Sequence, residues 1–257
     1  MNEPLPSAIV PTLTVGAGRG LQWWSSAIAW LFADSAQIGV WVLMTVVFFA
    51  LTLALHFIPV LGSIASFLLH FVFAGGLLLA ASKSAAQTAP SFGDLFAGFG
   101  PRAGQLVALA LLVLAACLVI FGAMIAVGVG AIVSAALRGV FSDLTPPDPA
   151  SWGIGLGTLG LLLLCLLALV PVSMAAWLAP ALVMLRGAAP VDALRMSLAA
   201  CRRNLGALTV YGLVGVFFAI LATVLLGIGW LVLLPMIFLS SYAAYRDLFA
   251  AEGEVLG

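Results

Sequence analysis

Charge is what this sequence has least of. Only 7% of its 257 residues are Asp, Glu, Lys or Arg, while 65% are hydrophobic; soluble domains carry about 25% charged residues. Water does not solvate such a surface, and hydrocarbon does. Nine basic and nine acidic residues cancel, so no net field draws nucleic acid or an acidic partner. Cysteine is scarce as well. Cys117, Cys165 and Cys201 stand far apart with no C-x-x-C pair, which speaks against a disulfide framework and a thiolate zinc site. They read as small apolar fillers.

Other absences bear on function. Met1 to Thr14 has no basic start followed by an apolar stretch and a small-residue cleavage site, so residues 1–15 are expected to be a flexible cytoplasmic tail. There is no H-E-x-x-H, no nucleophile–base–acid set and no glycine loop beside a lysine to cradle phosphate. An enzyme is not expected, and no cofactor or metal is implied. No carboxylate falls mid-span either: Asp34, Asp94, Asp143, Asp148, Asp192 and Asp247 lie in loops or at span ends. Ion-coupled transporters usually keep such a group, or a broken helix, near the midplane.

What is present is long apolar runs. Crossing about 30 Å of hydrocarbon takes about 20 residues at 1.5 Å each. The runs predict spans near 37–58, 61–81, 105–137, 152–185, 207–226 and 229–248. Pro59, Val60 and Gly62 make the first reversal tight. The third and fourth runs are too long to stand upright and must tilt, kink or leave the lipid. Gly227 and Gly229 divide the last block. Eight of the nine basic residues fall on the side of both termini: Arg19, Lys83, Arg102, Arg186, Arg195, Arg202, Arg203 and Arg246; only Arg138 falls opposite. That bias places both ends in the cytoplasm. The one substantial outer loop is Arg138 to Ser151.

Three inner segments look amphipathic. In Gly20–Phe32, Leu21, Trp24, Ile28, Leu31 and Phe32 share one side. Trp23, Trp24 and Trp30 favour the headgroup zone. In Ser91–Phe99, Ser91 and Asp94 have capping-box spacing and Phe92, Leu95, Phe96 and Phe99 form an apolar face. In Pro190–Asn204, Val191, Leu194, Leu198 and Cys201 oppose Asp192, Arg195, Arg202 and Arg203. The fold predicted is an all-α integral membrane domain over 16–250. Its six transmembrane helices form three hairpins, each preceded by an interfacial helix on the cytoplasmic side. The repeats run about 20–82, 91–186 and 190–249.

Short strings give a family likeness. They are Arg19-Gly20-Leu21-Gln22-Trp23 with Leu31-Phe32; Ile58-Pro59-Val60-Leu61-Gly62 with Gly75-Gly76 and Leu95-Phe96-Ala97-Gly98-Phe99; and Pro235 with Ser241-Tyr242-Ala243-Ala244-Tyr245-Arg246-Asp247-Leu248-Phe249. With them the chain resembles a family of small polytopic inner-membrane proteins of Gram-negative bacteria. It departs after Phe32, where Ala33-Asp34-Ser35 replaces a more basic stretch. The resemblance implies a bacterial inner membrane and a helical bundle, and no particular activity.

The candidate sites follow. His70 and His56 are the intramembrane polar candidates, for a proton relay or as ligands with Cys117, against the plainer role of neutral rings donating to backbone carbonyls. Gly122, Ala126, Gly130 and Ser134, with Gly153 and Gly157, form a small-residue helix-packing face, within the bundle or between copies. Trp23, Trp24, Trp30, Arg195, Arg202, Arg203, Tyr242, Tyr245 and Arg246 are expected at the lipid headgroups. Arg246 and Asp247 are also expected to cap the last helix. The function expected is a non-enzymatic multi-pass inner-membrane protein: structural, lipid-associated or partner-binding. Its partners would be membrane lipids, a second copy or other membrane proteins, and not nucleic acid. The alternative is a transporter or channel for a small solute, built on His70 and on helices broken at Pro171, Pro180 or Pro235; a membrane-embedded enzyme is weaker.

Overall fold

A computed structural model describes residues 12–141, 150–225 and 227–249, with side-chain surroundings at all of these but 131–132 and 134–158. The described chain is helical: α1 Arg19–Leu31, α2 Ser35–His56, α3 Leu61–Ala85, a 3-10 segment Phe92–Phe99, α4 Ala103–Phe141, α5 Ala150–Arg186, α6 Pro190–Arg203, α7 Leu205–Val224 and α8 Trp230–Phe249. Six helices are long and apolar enough to cross a membrane: α2, α3, α4 over Ala103–Gly130, α5 over Leu159–Arg186, α7 and α8. The protein is an all-α polytopic membrane protein. At 39 residues α4 is about 58 Å long, nearly twice the hydrocarbon thickness of about 30 Å.

Local signals account for the helix ends. Asp34 caps α2, its carboxylate accepting from the Ala36 N–H at 3.1 Å. Ser91 and Asp94 form a reciprocal capping box on the 3-10 segment. Pro190 opens α6, where its missing N–H costs nothing. Gly187, at φ +69°, ends α5, and the next N–H, of Ala188, reaches back to the Leu182 carbonyl at 3.2 Å. The turn between α2 and α3 reverses at Val60, whose φ of 60° and ψ of −63° lie in a strained region for a β-branched residue. The turn after α7 uses Gly227 at φ +81°.

The helical backbone continues through Pro171 and Pro180 in α5 and Pro235 in α8. The breaks considered for a transport pathway are therefore absent there. Near Pro180 the helix is also tied to α6, where the Leu178 N–H donates to Ser197 Oγ at 3.2 Å.

The chain forms two compact units. One comprises residues up to Leu111 and from Ala175 onward; the other is Leu112–Met174. In the first, α8 is the hub and touches α1, α2, α3 and α7, while α3 also packs on the 3-10 segment. Its interior is filled by Trp41, Met44, Phe73, Leu77, Leu95 and Leu239 among others. In the second, Leu118, Val119, Ile125, Leu163, Leu164 and Leu167 point outward. Outward leucines carry no penalty where hydrocarbon is the solvent.

Candidate functional site

The richest concentration of polar and aromatic groups lies in the first unit, where α8 ends. Arg19 and Trp23 are one helical turn apart on α1, so both face the same neighbour. That neighbour is Asp247 of α8. Its carboxylate accepts from Arg19 Nε at 2.8 Å and from Trp23 Nε1 at 2.6 Å, and a second Arg19 nitrogen completes a forked ion pair. Asp247 holds the Arg19 guanidinium's pKa above its ordinary value, chiefly through the hydrogen bond. Gly20 makes the approach possible: a Cβ there would lie 2.2 Å from the Ala207 carbonyl oxygen of α7.

Aromatic rings fill the space behind this pair. Tyr211 of α7 stacks on Trp24 at 5.1 Å and lies 5.0 Å from Trp177 of α5 and 5.8 Å from Trp23. Each polar tip has a partner. Tyr211 Oη and Ser240 Oγ are 3.0 Å apart, Trp177 Nε1 donates to Ser241 Oγ at 2.9 Å, and Trp24 Nε1 donates to the Tyr211 carbonyl at 3.0 Å. The cluster thereby fastens α1, α5, α7 and α8 together.

Cations close the neighbouring helix ends. Arg102 donates to the Val183 carbonyl at 2.8 Å and to that of Met184, covering the end of α5. Arg186 donates to Tyr245 Oη at 2.8 Å and to the Phe249 carbonyl, and its guanidinium sits 5.6 Å above the Tyr245 ring. Both thus occupy the negative end of a helix dipole. Lys83 of α3 pairs with Asp94 at 2.6 Å. Asn204, between α6 and α7, binds the segment before α1: its Oδ1 accepts from the Val15 N–H at 2.7 Å and its Nδ2 donates to the Leu13 carbonyl at 2.9 Å.

Several expectations need correction. Trp23, Trp24 and Tyr245 face protein rather than lipid headgroups. They are buried, Trp23 to 1% exposure, because their polar tips find protein partners inside the bundle. Trp30, Tyr242 and Arg246 are half-buried, and Trp30 and Tyr242 have ring centroids 6.2 Å apart. Arg195, Arg202 and Arg203 are exposed. Asp247 pairs with Arg19 of α1 rather than serving only its own helix end. The flexible tail expected over 1–15 is held from Thr12, which accepts from Arg203 at 2.8 Å; residues 1–11 lie outside the described ones. The face of α1 is also rotated. Trp23, Trp24, Ala27 and Leu31 go inward while Leu21, Ile28 and Phe32 stay exposed, since lipid accepts an apolar outer side. On α6 the inward residues are Ala193, Ser197, Ala200 and Cys201, small enough for close approach, and Val191 is left outside.

The histidines are not brought together. The His56 ring nitrogen Nδ1 lies 2.7 Å from the Thr52 carbonyl, one turn back on α2, and donates to it. His70, on the outer side of α3, has its ring edge-on to Phe48 and Phe71. Among the described residues no three His, Cys, Asp or Glu side chains cluster as metal ligands would. No described atom lies within 4 Å of a Cβ added at Gly122 or Gly130, and Ala126 is exposed among the described residues. Ser134, Gly153 and Gly157 lie outside the residues whose side-chain surroundings are described.

The sequence gives no sign of Trp177, Tyr211, Ser240 or the bonds of Asn204. A signal existed for Arg19, Trp23, Ser241 and Asp247, which all lie inside the strings that carry the family likeness. Hydrophobic periodicity cannot reveal a pair 228 residues apart.

Cys201 yields a direct test. It is fully buried on α6, and burial pushes its thiol up to about 12, partly offset by a hydrogen bond with Ser197. At pH 7.5 it is a neutral thiol, so maleimide should not label it in the folded protein and should do so after denaturation. Rapid labelling without denaturant would contradict the burial.

The chain is similar to a probable inner membrane protein of Burkholderia thailandensis, with 30% identity over 262 aligned residues that cover 93% of this chain and 94% of that one. No family model and no solved structure matches it.

Proposed function

The chain belongs to the family of that Burkholderia inner-membrane protein, and from this premise we propose that it is a non-enzymatic scaffold of the inner membrane with both ends in the cytoplasm, acting through lipid or protein partners rather than through a reaction. It is a multi-pass membrane protein with six apolar helices. The single observation that carries the proposal is how the polar groups at the end of α8 are spent. Arg19, Trp23, Trp177, Tyr211, Arg186 and Asp247 all bond to other parts of the protein. A catalytic constellation would aim such groups at a common empty space; here they hold helices to one another.

The orientation is supported by the basic bias of the sequence. It is supported further by contacts that gather Arg19, Arg102, Arg186 and Arg203 with both ends of the described chain, where the Leu13 N–H donates to the Leu248 carbonyl at 3.1 Å. A reporter fused after the last residue should read cytoplasmic, and a periplasmic signal would overturn the orientation. The scaffold role is tested by native purification with lipid and protein identification. An enriched acidic lipid or a stoichiometric membrane partner is expected, and recovery of neither would remove the role.

A further inference from the structure

Most cations of this protein are consumed internally. Arg19, Lys83, Arg102, Arg186 and Arg203 each donate to a carboxylate, carbonyl or hydroxyl of the chain. Arg195 and Arg202 do not: among the described residues neither has an ion pair, hydrogen bond or ring partner, and both are exposed on α6. They are seven residues apart, two turns of one helix face and about 10.5 Å along its axis. Two extended arginine side chains can close that gap on one phosphodiester. The nearest acid in sequence, Asp192, makes no ion pair with Arg195 among the described residues.

The position of α6 sets the depth of these guanidinium groups. Three residues, Gly187 to Ala189, join it to the end of the α5 span, and Asn204 alone joins it to the start of the α7 span. A 14-residue helix tethered to a span at each end lies along the membrane face. Its inner side is pressed on the protein through Ala193, Ser197, Ala200 and Cys201. Beside the arginines, Val191 is 44% exposed and Leu194 and Leu198 are half-exposed. The surface therefore offers two free cations next to an apolar flank at headgroup level. That matches the phosphate and upper acyl chain of a lipid better than a free anion, which has no use for the flank.

We infer that the outer face of α6, centred on Arg195 and Arg202 with Val191, Leu194 and Leu198 alongside, is a binding site for the headgroup of an anionic phospholipid. The inference deepens the scaffold reading by naming a ligand class and a place. A basic residue near an anionic surface contributes about fivefold in affinity, so the pair together supply about 25-fold. The guanidinium forks add geometry that lysine cannot reproduce.

The test titrates the full detergent-solubilised chain with dioleoyl-phosphatidylglycerol and, separately, with dioleoyl-phosphatidylcholine, reading bound lipid by native mass spectrometry. The wild type should prefer phosphatidylglycerol, and R195Q/R202Q should lose about 25-fold of that affinity. Its thermal unfolding should match the wild type, because neither side chain holds a hydrogen bond or ion pair among the described residues. R246Q, which removes a half-buried arginine of α8, should leave binding intact. Unchanged binding in R195Q/R202Q, or equal loss in R246Q, would overturn the site. So would competition by glycerol 3-phosphate as effective as that by the lipid, which would mean a site for free phosphate. In detergent the measurement is independent of orientation, so a periplasmic reporter signal would defeat the topology without touching this result.

Discussion

Gly98→Ala should cost more than about 3 kcal/mol of stability and leave little folded protein in the membrane. The added Cβ would lie 1.9 Å from the Val72 carbonyl oxygen of α3. Directly across this contact, a Cβ at Gly76 would meet the Asp94 and Leu95 carbonyl oxygens at 2.4 Å. Backbone stands on both sides, so no rotamer change relieves the overlap, and the 3-10 segment must lift from α3. Lifting would expose Leu95 and pull Asp94 away from Lys83. The control is Gly122→Ala, where no described atom lies within 4 Å of the new methyl group; it should express and melt as wild type. Folded yield in detergent, by fluorescence-detected size exclusion, reads both. A well-folded Gly98→Ala protein would show that the contact between α3 and the 3-10 segment is misplaced.

The second large effect concerns the fork between α1 and α8. Arg19→Ala leaves the Asp247 carboxylate, only 9% exposed, with Trp23 as its remaining donor. Breaking a buried pair from one side costs about 3–5 kcal/mol. The Arg19 side chain is 41% exposed, so water screens the pair, and about 2 kcal/mol is the expected loss. Asp247→Ala returns Arg19 to water but strands the indole N–H of the buried Trp23, at about 1–3 kcal/mol. The double variant should cost less than the sum of the two, because each single change already destroys the same bond. Denaturant unfolding in micelles measures all three. Strict additivity would mean that the two side chains do not meet.

These two sites differ in how far they could be read beforehand. Gly20, Gly76 and Gly98 stand in the strings that carry the family likeness, and each proves to be a position where a Cβ would collide with backbone. The sequence shows a glycine but not the neighbour that requires it. The small-residue stripe at Gly122, Ala126 and Gly130 looked just as purposeful, yet no described atom comes within 4 Å of a Cβ added at its glycines. Composition cannot separate the two cases, because glycine is permitted everywhere and required only where another chain segment comes within contact. The tryptophans of α1 teach the same lesson. An indole suits a headgroup and a buried hydrogen bond equally well, and only the position of Asp247 and Tyr211 chooses between them.

By itself the sequence determined the solvent, the helical class and the number of helices long and apolar enough to cross. These depend on local hydrophobicity, on length against bilayer thickness, and on Pro, Gly, Ser and Asp at segment ends, all of which act over a few neighbouring residues. The tertiary structure alone decided which side of α1 and α6 faces inward, which glycines are indispensable, and which arginines are spent on helix ends and which stay free. Those outcomes depend on pairs such as Arg19 and Asp247, 228 residues apart. In a chain apolar on nearly every face, periodicity carries no mark of which face meets protein and which meets lipid.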